Sequence, residues 1–185
     1  MSDGHHFLIT RRIGIDAGHR IMRHGSKCRH IHGHRYEVEA ICHASSLHRG
    51  GEQDSMVLDF GFLKEEMMAV IDASCDHGFI AEVSDTDLLS MFCPAGKEQG
   101  EWMAGLEKAV SRDGFVVTTN THLATRLYII PEAPTAEALA RHWYQRLQDR
   151  VQIRSEGLAV LERIVVWETP NCRAEYSEQK AGVQR

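Results

Sequence analysis

Two alternating runs on either side of a histidine-rich stretch constrain this 185-residue chain more than any other feature. Between Phe7 and Ala17 the odd positions read Phe7, Ile9, Ile13, Ile15 and Ala17, with Thr10, Arg12 and Asp16 between them. Period two is the signature of a strand with one buried face. The turn-rich His24-Gly25-Ser26-Lys27 follows. Then Tyr36, Val38, Ala40 and Cys42 alternate with Glu37, Glu39 and His43, which gives a second strand. Two such neighbours predict an antiparallel pair with one face in the core and one in solvent.

The adjoining ends of these strands carry imidazoles in phase with the apolar face. His19 continues the parity of Ile13, Ile15 and Ala17, while His32 and His34 lead into Tyr36 and Val38. Strand residues i and i+2 project from one face, so His32 and His34 can reach a single ion, and pairing brings His19 to them. Three neutral nitrogens with a fourth position open is the composition of a catalytic zinc site, not of a closed structural one. A lone histidine usually packs or caps; the in-phase triple is what favours a metal here. His24 and His30 read as loop residues.

Further along, Asp59 can cap a helix that carries Phe60, Leu63, Met67, Val70 and Ile71 and ends near Cys75. Thr135 can cap a second, with Leu139, Ala140, Trp143, Leu147 and Val151 on one face and Gly157 as its stop. Leu158 to Trp167 is a strong strand, Ala174 to Ser177 a weak one, and a polar, frayed tail is expected from Glu178. The order is strand, strand, helix, insertion, helix, strand, strand: a single α+β domain over 1–185 with an insertion at about 82–130. Within the insertion, Asp85 to Phe92 and Glu101 to Val110 read as helices and Gly114 to Ile130 holds β-prone runs. Its apolar content predicts an ordered subdomain packed beside the main body.

Charge and cysteine usage narrow the function. Lys plus Arg number 21 and Asp plus Glu 26, a net charge of −5, so no strong positive field draws phosphates or membrane surfaces. The chain lacks a signal-peptide layout and a membrane-length apolar run, and its five cysteines show no C-x-x-C pairing. A reducing, cytoplasmic setting is expected.

Other residues stay open on the sequence alone. Cys28 lies four residues before His32, between Lys27 and Arg29. A single cysteine is usually an inert small hydrophobe, but a thiol beside cations ionises readily and can act as base or nucleophile. Asp76-His77 is either a carboxylate-oriented proton relay or a plain helix terminus, since adjacent side chains normally point apart. Glu168 shares parity with Val160, Ile164 and Val166 and either faces solvent or grips a ligand's donors.

Taken in order, Ala17-Gly18-His19-Arg20, Cys28-x3-His32-Gly33-His34, Met56-Val57-x-Asp59-Phe60, Asp76-His77, Pro134-Thr135-Ala136-Glu137 and Trp167-Glu168-Thr169 resemble the 6-pyruvoyltetrahydropterin synthase family. The Cys-x3-His-Gly-His spacing resembles its 6-carboxytetrahydropterin synthase branch. The resemblance spans roughly residues 7–80 and 131–177. It implies a tunnelling fold, antiparallel β-β-α-α-β-β, whose subunits close into a trimer-based homo-oligomeric barrel with active sites between subunits. It also implies zinc on His19, His32 and His34, catalysis by Cys28, Asp76 and His77, and pterin binding by Glu168, with Thr135 at the substrate site. The implied reaction converts 7,8-dihydroneopterin triphosphate to 6-carboxytetrahydropterin, acetaldehyde and triphosphate, toward 7-deazapurines such as queuosine. The alternatives are a triphosphate lyase of the pyruvoyl type or a pterin- and zinc-binding protein without turnover. The chain departs from the family pattern in Gly78-Phe79 after Asp76-His77, in Ala138, and in the long insertion.

Overall fold

The structure, a computed structural model, describes residues 6–178. The alternating runs pair as their pattern predicts. β1 (Phe7–His19) and β2 (His32–Ala44) are antiparallel in unbroken register, from Phe7↔Ala44 to His19↔His32. The pleat buries Ile13, Ile15, Ala17, Tyr36, Val38, Ala40 and Cys42 on one face and leaves Arg12, Asp16, Arg35 and Glu37 on the other. β6 (Val160–Thr169) joins β2, and β7 (Cys172–Tyr176) joins β6, both antiparallel.

Two bulges interrupt β6. At the first, the register steps from Arg163 to Leu161, so Leu161 and not Val160 shares the core face with Ile164 and Val166. At the second, the register steps from Trp167 to Thr169 and leaves Glu168 without a partner on β7. An extra residue in one strand re-aims its neighbours, which simple parity counting from the sequence cannot anticipate.

Helices cover the buried face. The Asp59 carboxylate accepts from the Gly61 and Phe62 N–H groups and starts α1 (Phe60–Met67). A π-helical turn, Met68–Asp72, carries it into α2 (Ala73–Cys75). Thr135 accepts from the Ala138 N–H at 3.2 Å and opens α5 (Ala136–Arg154), which buries Leu139, Ala140, Trp143, Tyr144, Leu147 and Val151. Leu63, Leu139 and Leu147 are fully enclosed, and burial of such a side chain contributes roughly 1.5–3 kcal/mol.

The inserted segment is ordered and extends the main sheet through the strand that ends where it begins. β3 (Gly78–Glu82) pairs in parallel with β1 over Ala17–His19 alone; β5 (Leu127–Ile130) is parallel to β3, and β4 (Val116–Thr118) antiparallel to β5. The sheet therefore has seven strands in the order β4-β5-β3-β1-β2-β6-β7. The β2, β6 and β7 pairings are antiparallel as expected, and the extension brings parallel ones because a crossover helix returns β3 alongside β1. Ile80, Tyr128 and Ile130 face the main core. Phe79, Ala81, Leu127 and Ile129 face the opposite way, under α3 (Thr86–Met91) and α4 (Gln99–Asp113), where they pack with Leu88, Leu89, Trp102, Leu106 and Val110. A strand covered on both sides reads as an unbroken apolar run, which is the composition of Leu127-Tyr128-Ile129-Ile130. Apart from Glu178 itself, the tail expected to fray lies outside the described residues.

Candidate active site

The end of the β1–β2 ladder assembles the three imidazoles. His19 lies opposite His32, and Ala17 opposite His34, with the Gly18–Gly33 pair between. These glycines permit the close approach: a Cβ on Gly33 would sit 2.9 Å from the Ala17 carbonyl oxygen, and one on Gly18 would run into the Phe79 ring. The ring centroids are 4.5 Å (His19–His32), 5.1 Å (His19–His34) and 5.0 Å (His32–His34) apart. One nitrogen from each lies within 4.8 Å of the others.

Backbone carbonyls decide which nitrogens point inward. His19 Nδ1 is 2.9 Å from the Pro134 carbonyl oxygen, and His32 Nδ1 is 2.7 Å from that of His30. A carbonyl only accepts, so both Nδ1 atoms carry the proton and both Nε2 atoms present lone pairs. Yet the two Nε2 atoms stand 3.1 Å apart. Two lone pairs at that distance repel unless a cation lies between them, and the spacing is close to the ~3.3 Å expected for two nitrogens on one tetrahedral zinc. His34 Nε2 is buried and has no hydrogen-bond partner. A buried polar atom left unpaired costs free energy, and a bound metal removes that cost. Burial lowers the pKa of His19 to about 4 and also that of His34, so both stay neutral at pH 7, as a ligand must be. The donor set fits zinc.

Beside this cluster lies a cavity of about 230 Å³ lined by Cys28, Thr135 and Glu168, together with Ile21, His24 and Arg173. Cys28 sits half-buried in a single 3₁₀ turn, Lys27–Arg29. Glu168, on the second bulge of β6, places Oε1 3.6 Å from His19 Nε2 and 3.8 Å from His34 Nε2. Thr135 reaches the cavity at the start of α5 while its hydroxyl holds the cap. Cys28, Glu168 and Thr135 are thus brought together.

Asp76 and His77 are brought together with each other, and neither lines that cavity. They sit on the edge of β1. Asp76 Oδ1 accepts from the Asp16 N–H at 2.9 Å, and the His77 N–H donates to the Asp16 carbonyl at 2.7 Å. His77 adopts φ 52°, an uncommon backbone for a side-chain-bearing residue, and this lets its ring turn back on its neighbour. Nδ1 then lies 2.7 Å from Asp76 Oδ2, so adjacent side chains that normally diverge make a pair. Burial alone would raise the Asp76 pKa, but the Asp16 N–H, His77 and nearby Arg35 hold it below the usual carboxylate range.

Sequence reasoning missed several contributors. Tyr36 is fully buried beneath the cluster, its ring 5.8 Å from His19 and 5.5 Å from His34; its place two residues after His34 on the same face was the available signal. Arg126 donates to the Asp76 carbonyl at 2.6 Å, and Pro134 supplies the carbonyl behind His19. Neither was legible, because each acts through contacts distant in sequence.

A family model described as 6-pyruvoyl tetrahydropterin synthase matches residues 8–179. A 6-carboxy-5,6,7,8-tetrahydropterin synthase of Rickettsia bellii is 31% identical over 166 residues, 90% of this chain and 96% of the relative. Its counterpart in Haemophilus influenzae is 26% identical, over 93% and 99%. Among solved structures, an uncharacterized protein of Wolinella succinogenes aligns with TM-score 0.67 at 21% identity, covering 94% of this chain and 99% of that one. The 6-pyruvoyl tetrahydropterin synthase of Caenorhabditis elegans aligns with TM-score 0.54 at 19% identity, over 94% and 96%. With its sequence matched almost from end to end and the same fold in these structures, the chain belongs to the 6-pyruvoyl tetrahydropterin synthase family.

Proposed function

We propose that the protein is a zinc-dependent 6-carboxy-5,6,7,8-tetrahydropterin synthase, a carbon–carbon lyase of the queuosine route. In this reading it converts 7,8-dihydroneopterin triphosphate, with uptake of water, to the 6-carboxy product, acetaldehyde and triphosphate. The observation that carries the reading is the imidazole cluster, with its inward lone pairs and orphaned His34 Nε2, opening beside a cavity that holds a thiol and a carboxylate. Relatives bearing that enzyme name over most of their length support the branch.

His19, His32 and His34 would hold the zinc, which when bound supplies Lewis-acid polarisation of the substrate's side-chain oxygens. The chain's own groups do the rest. Cys28 withdraws a proton from the substrate side chain. His77, its ring held by Asp76, takes and returns a proton at a hydroxyl. Triphosphate leaves with the electron pair of its C–O bond, and a retro-aldol type cleavage frees the two-carbon fragment. Glu168 accepts paired N–H bonds from the pterin's aminopyrimidinone edge, with Thr135 beside it, and fixes the ring for reaction.

Within one chain neither Asp76 nor His77 lines the cavity that holds the thiol, and the cavity's 230 Å³ falls below the roughly 300–1,000 Å³ of small-molecule sites. Both facts support a site completed by Asp76-His77 of a second copy in a homo-oligomer. No helix among the described residues is long and apolar enough to cross a membrane, and we place the enzyme in the cytoplasm. Mass spectrometry of the products formed from dihydroneopterin triphosphate tests the reading. Acetaldehyde with a 6-carboxy pterin is expected; a pyruvoyl product would move the protein to the other branch, and tight pterin binding without product would make it a binding protein.

A further inference from the structure

We infer that the inserted segment is a clamp that positions the catalytic thiol, acting through two buried carboxylates, Glu82 and Asp85. The inference rests on the assignment of Cys28 as the reacting thiol. The loop between β1 and β2 carries Arg20, Arg23 and Cys28, and it is closed by a hydrogen bond of 2.7 Å from the Ile21 N–H to the Cys28 carbonyl. Ile21 and Cys28 both line the active-site cavity, so a shift of one moves the other.

The insertion grips this loop at two points. Arg20 makes a two-pronged contact with Asp85, Nε to Oδ2 at 2.6 Å and a second bond from its NH2 group to Oδ1. Arg23 donates to Glu82 Oε1, which also accepts from the Ser84 hydroxyl at 2.5 Å. Glu82 is 5% exposed and Asp85 1%. Carboxylates so enclosed are costly unless paired; Asp85 is paired at both oxygens and Glu82 at Oε1, which ties the loop between the two arginines to the insertion. Planar two-pronged pairing also sets the angle of the guanidinium, which a single charge contact would leave free. The acids are held rigidly in turn: Asp85 accepts from the Leu88 N–H at 3.1 Å and caps α3, and Glu82 ends β3, whose Ile80 pairs with His19. Arg20 and Arg23 are therefore positioning residues on the thiol side, and Asp85 and Glu82 their fixed partners.

The test uses full-length zinc-loaded protein with Asp85→Asn, which keeps a capping oxygen for α3, and separately Arg20→Gln, which leaves the cap untouched. Each is expected to lower kcat between ~10- and 100-fold, the scale of a small misplacement, with KM within about twofold. Zinc content should stay at the wild-type level. Peptide-mapped iodoacetamide labelling should show Cys28 reacting at least about fivefold faster once the loop is released. The double variant should be no worse than either single one. Wild-type kcat and wild-type Cys28 labelling in both single variants would overturn the clamp, as would a loss of activity that merely tracks lost zinc. Labelling does not depend on turnover. If the wild-type protein makes no product while labelling responds as expected, the functional reading fails and the clamp stands.

Discussion

His19 and His77 are anchored to the same end of β1, yet the two imidazoles differ in burial and in the atom behind each ring. His19 is 1% exposed, and its Nδ1 proton goes to a neutral backbone carbonyl, that of Pro134. His77 has a side chain 78% exposed, and its Nδ1 faces the Asp76 carboxylate. A carbonyl behind a buried ring fixes one tautomer and adds no charge, so the other nitrogen is a permanent lone pair for a metal. A carboxylate behind an exposed ring orients it and supports the imidazolium that forms as a proton passes. Residue type is the same; in the proposed mechanism the partner atom and the access to water separate the ring that holds an ion from the ring that moves a proton.

The comparison breaks if the buried cluster proves dispensable, and the largest expected effect lies there. His34→Ala removes one of the three proposed ligands, whose Nε2 has no hydrogen-bond partner. Zinc affinity should fall by more than the ~10–100-fold seen when only a supporting group is lost, and product formation should disappear with it. Elemental analysis finding full zinc in the purified variant would show that the cluster is not the metal site.

Next in size are the groups proposed to handle protons. Cys28→Ala and His77→Asn should each lower kcat by ~10²-fold or more while zinc content holds. If the site is shared between subunits, the two inactive variants should rescue each other when dissociated, mixed and reassembled. A random mixture would place an intact thiol against an intact relay at about a quarter of the sites. Mixed assemblies as inactive as their parents would place relay and thiol in one subunit and remove the reason for the exposed position of His77.

Much of this contrast was legible in the sequence, and the reason is periodicity. His19, His32 and His34 share the parity of Ile13, Ile15, Tyr36 and Val38, so a pattern of period two announced both the strands and the face the imidazoles occupy. Caps at Asp59 and Thr135 likewise announced their helices. What stayed hidden depends on contacts distant in sequence. Nothing local in Gly78–Glu82, just before the insertion, says that it pairs in parallel with Ala17–His19 and so carries β5 and β4 into the sheet. The bulges at Glu162 and Glu168 shift phase without a compositional mark. The positive φ of His77, which joins it to Asp76, falls on a residue that gives no glycine signal.

Glu168 probes the boundary between the two regions, since its carboxylate stands within 4 Å of two imidazoles of the cluster and also lines the cavity that holds Cys28. Glu168→Gln keeps the shape but replaces one acceptor with a donor. If the carboxylate serves the pterin, calorimetry should show pterin affinity weaker by ~1.5–3 kcal/mol, the worth of hydrogen bonds to a charged group, with zinc content unchanged. Lost zinc with intact pterin affinity would instead assign Glu168 to the metal.

The smallest effect should come from Cys42, which repeats the contrast with thiols in place of imidazoles. Cys28 lies half-buried on a loop at the cavity, whereas Cys42 is fully enclosed on β2, opposite Ile9 and among the core side chains. Burial pushes the Cys42 thiol up to about 12, so at pH 7 it is a neutral, apolar filler with no access to substrate. Cys42→Ala removes one buried sulfur, and the core should loosen by about 1 kcal/mol, read as a lower urea midpoint at unchanged slope. Zinc content and kcat should match the wild type. Cys28→Ala should show the reverse: an unchanged midpoint, because a half-exposed side chain contributes little to packing, and a lost reaction. A Cys42→Ala protein of wild-type stability but reduced turnover would mean that the buried face of β2 takes part in the chemistry, and the division between a structural and a reacting thiol would have to be redrawn.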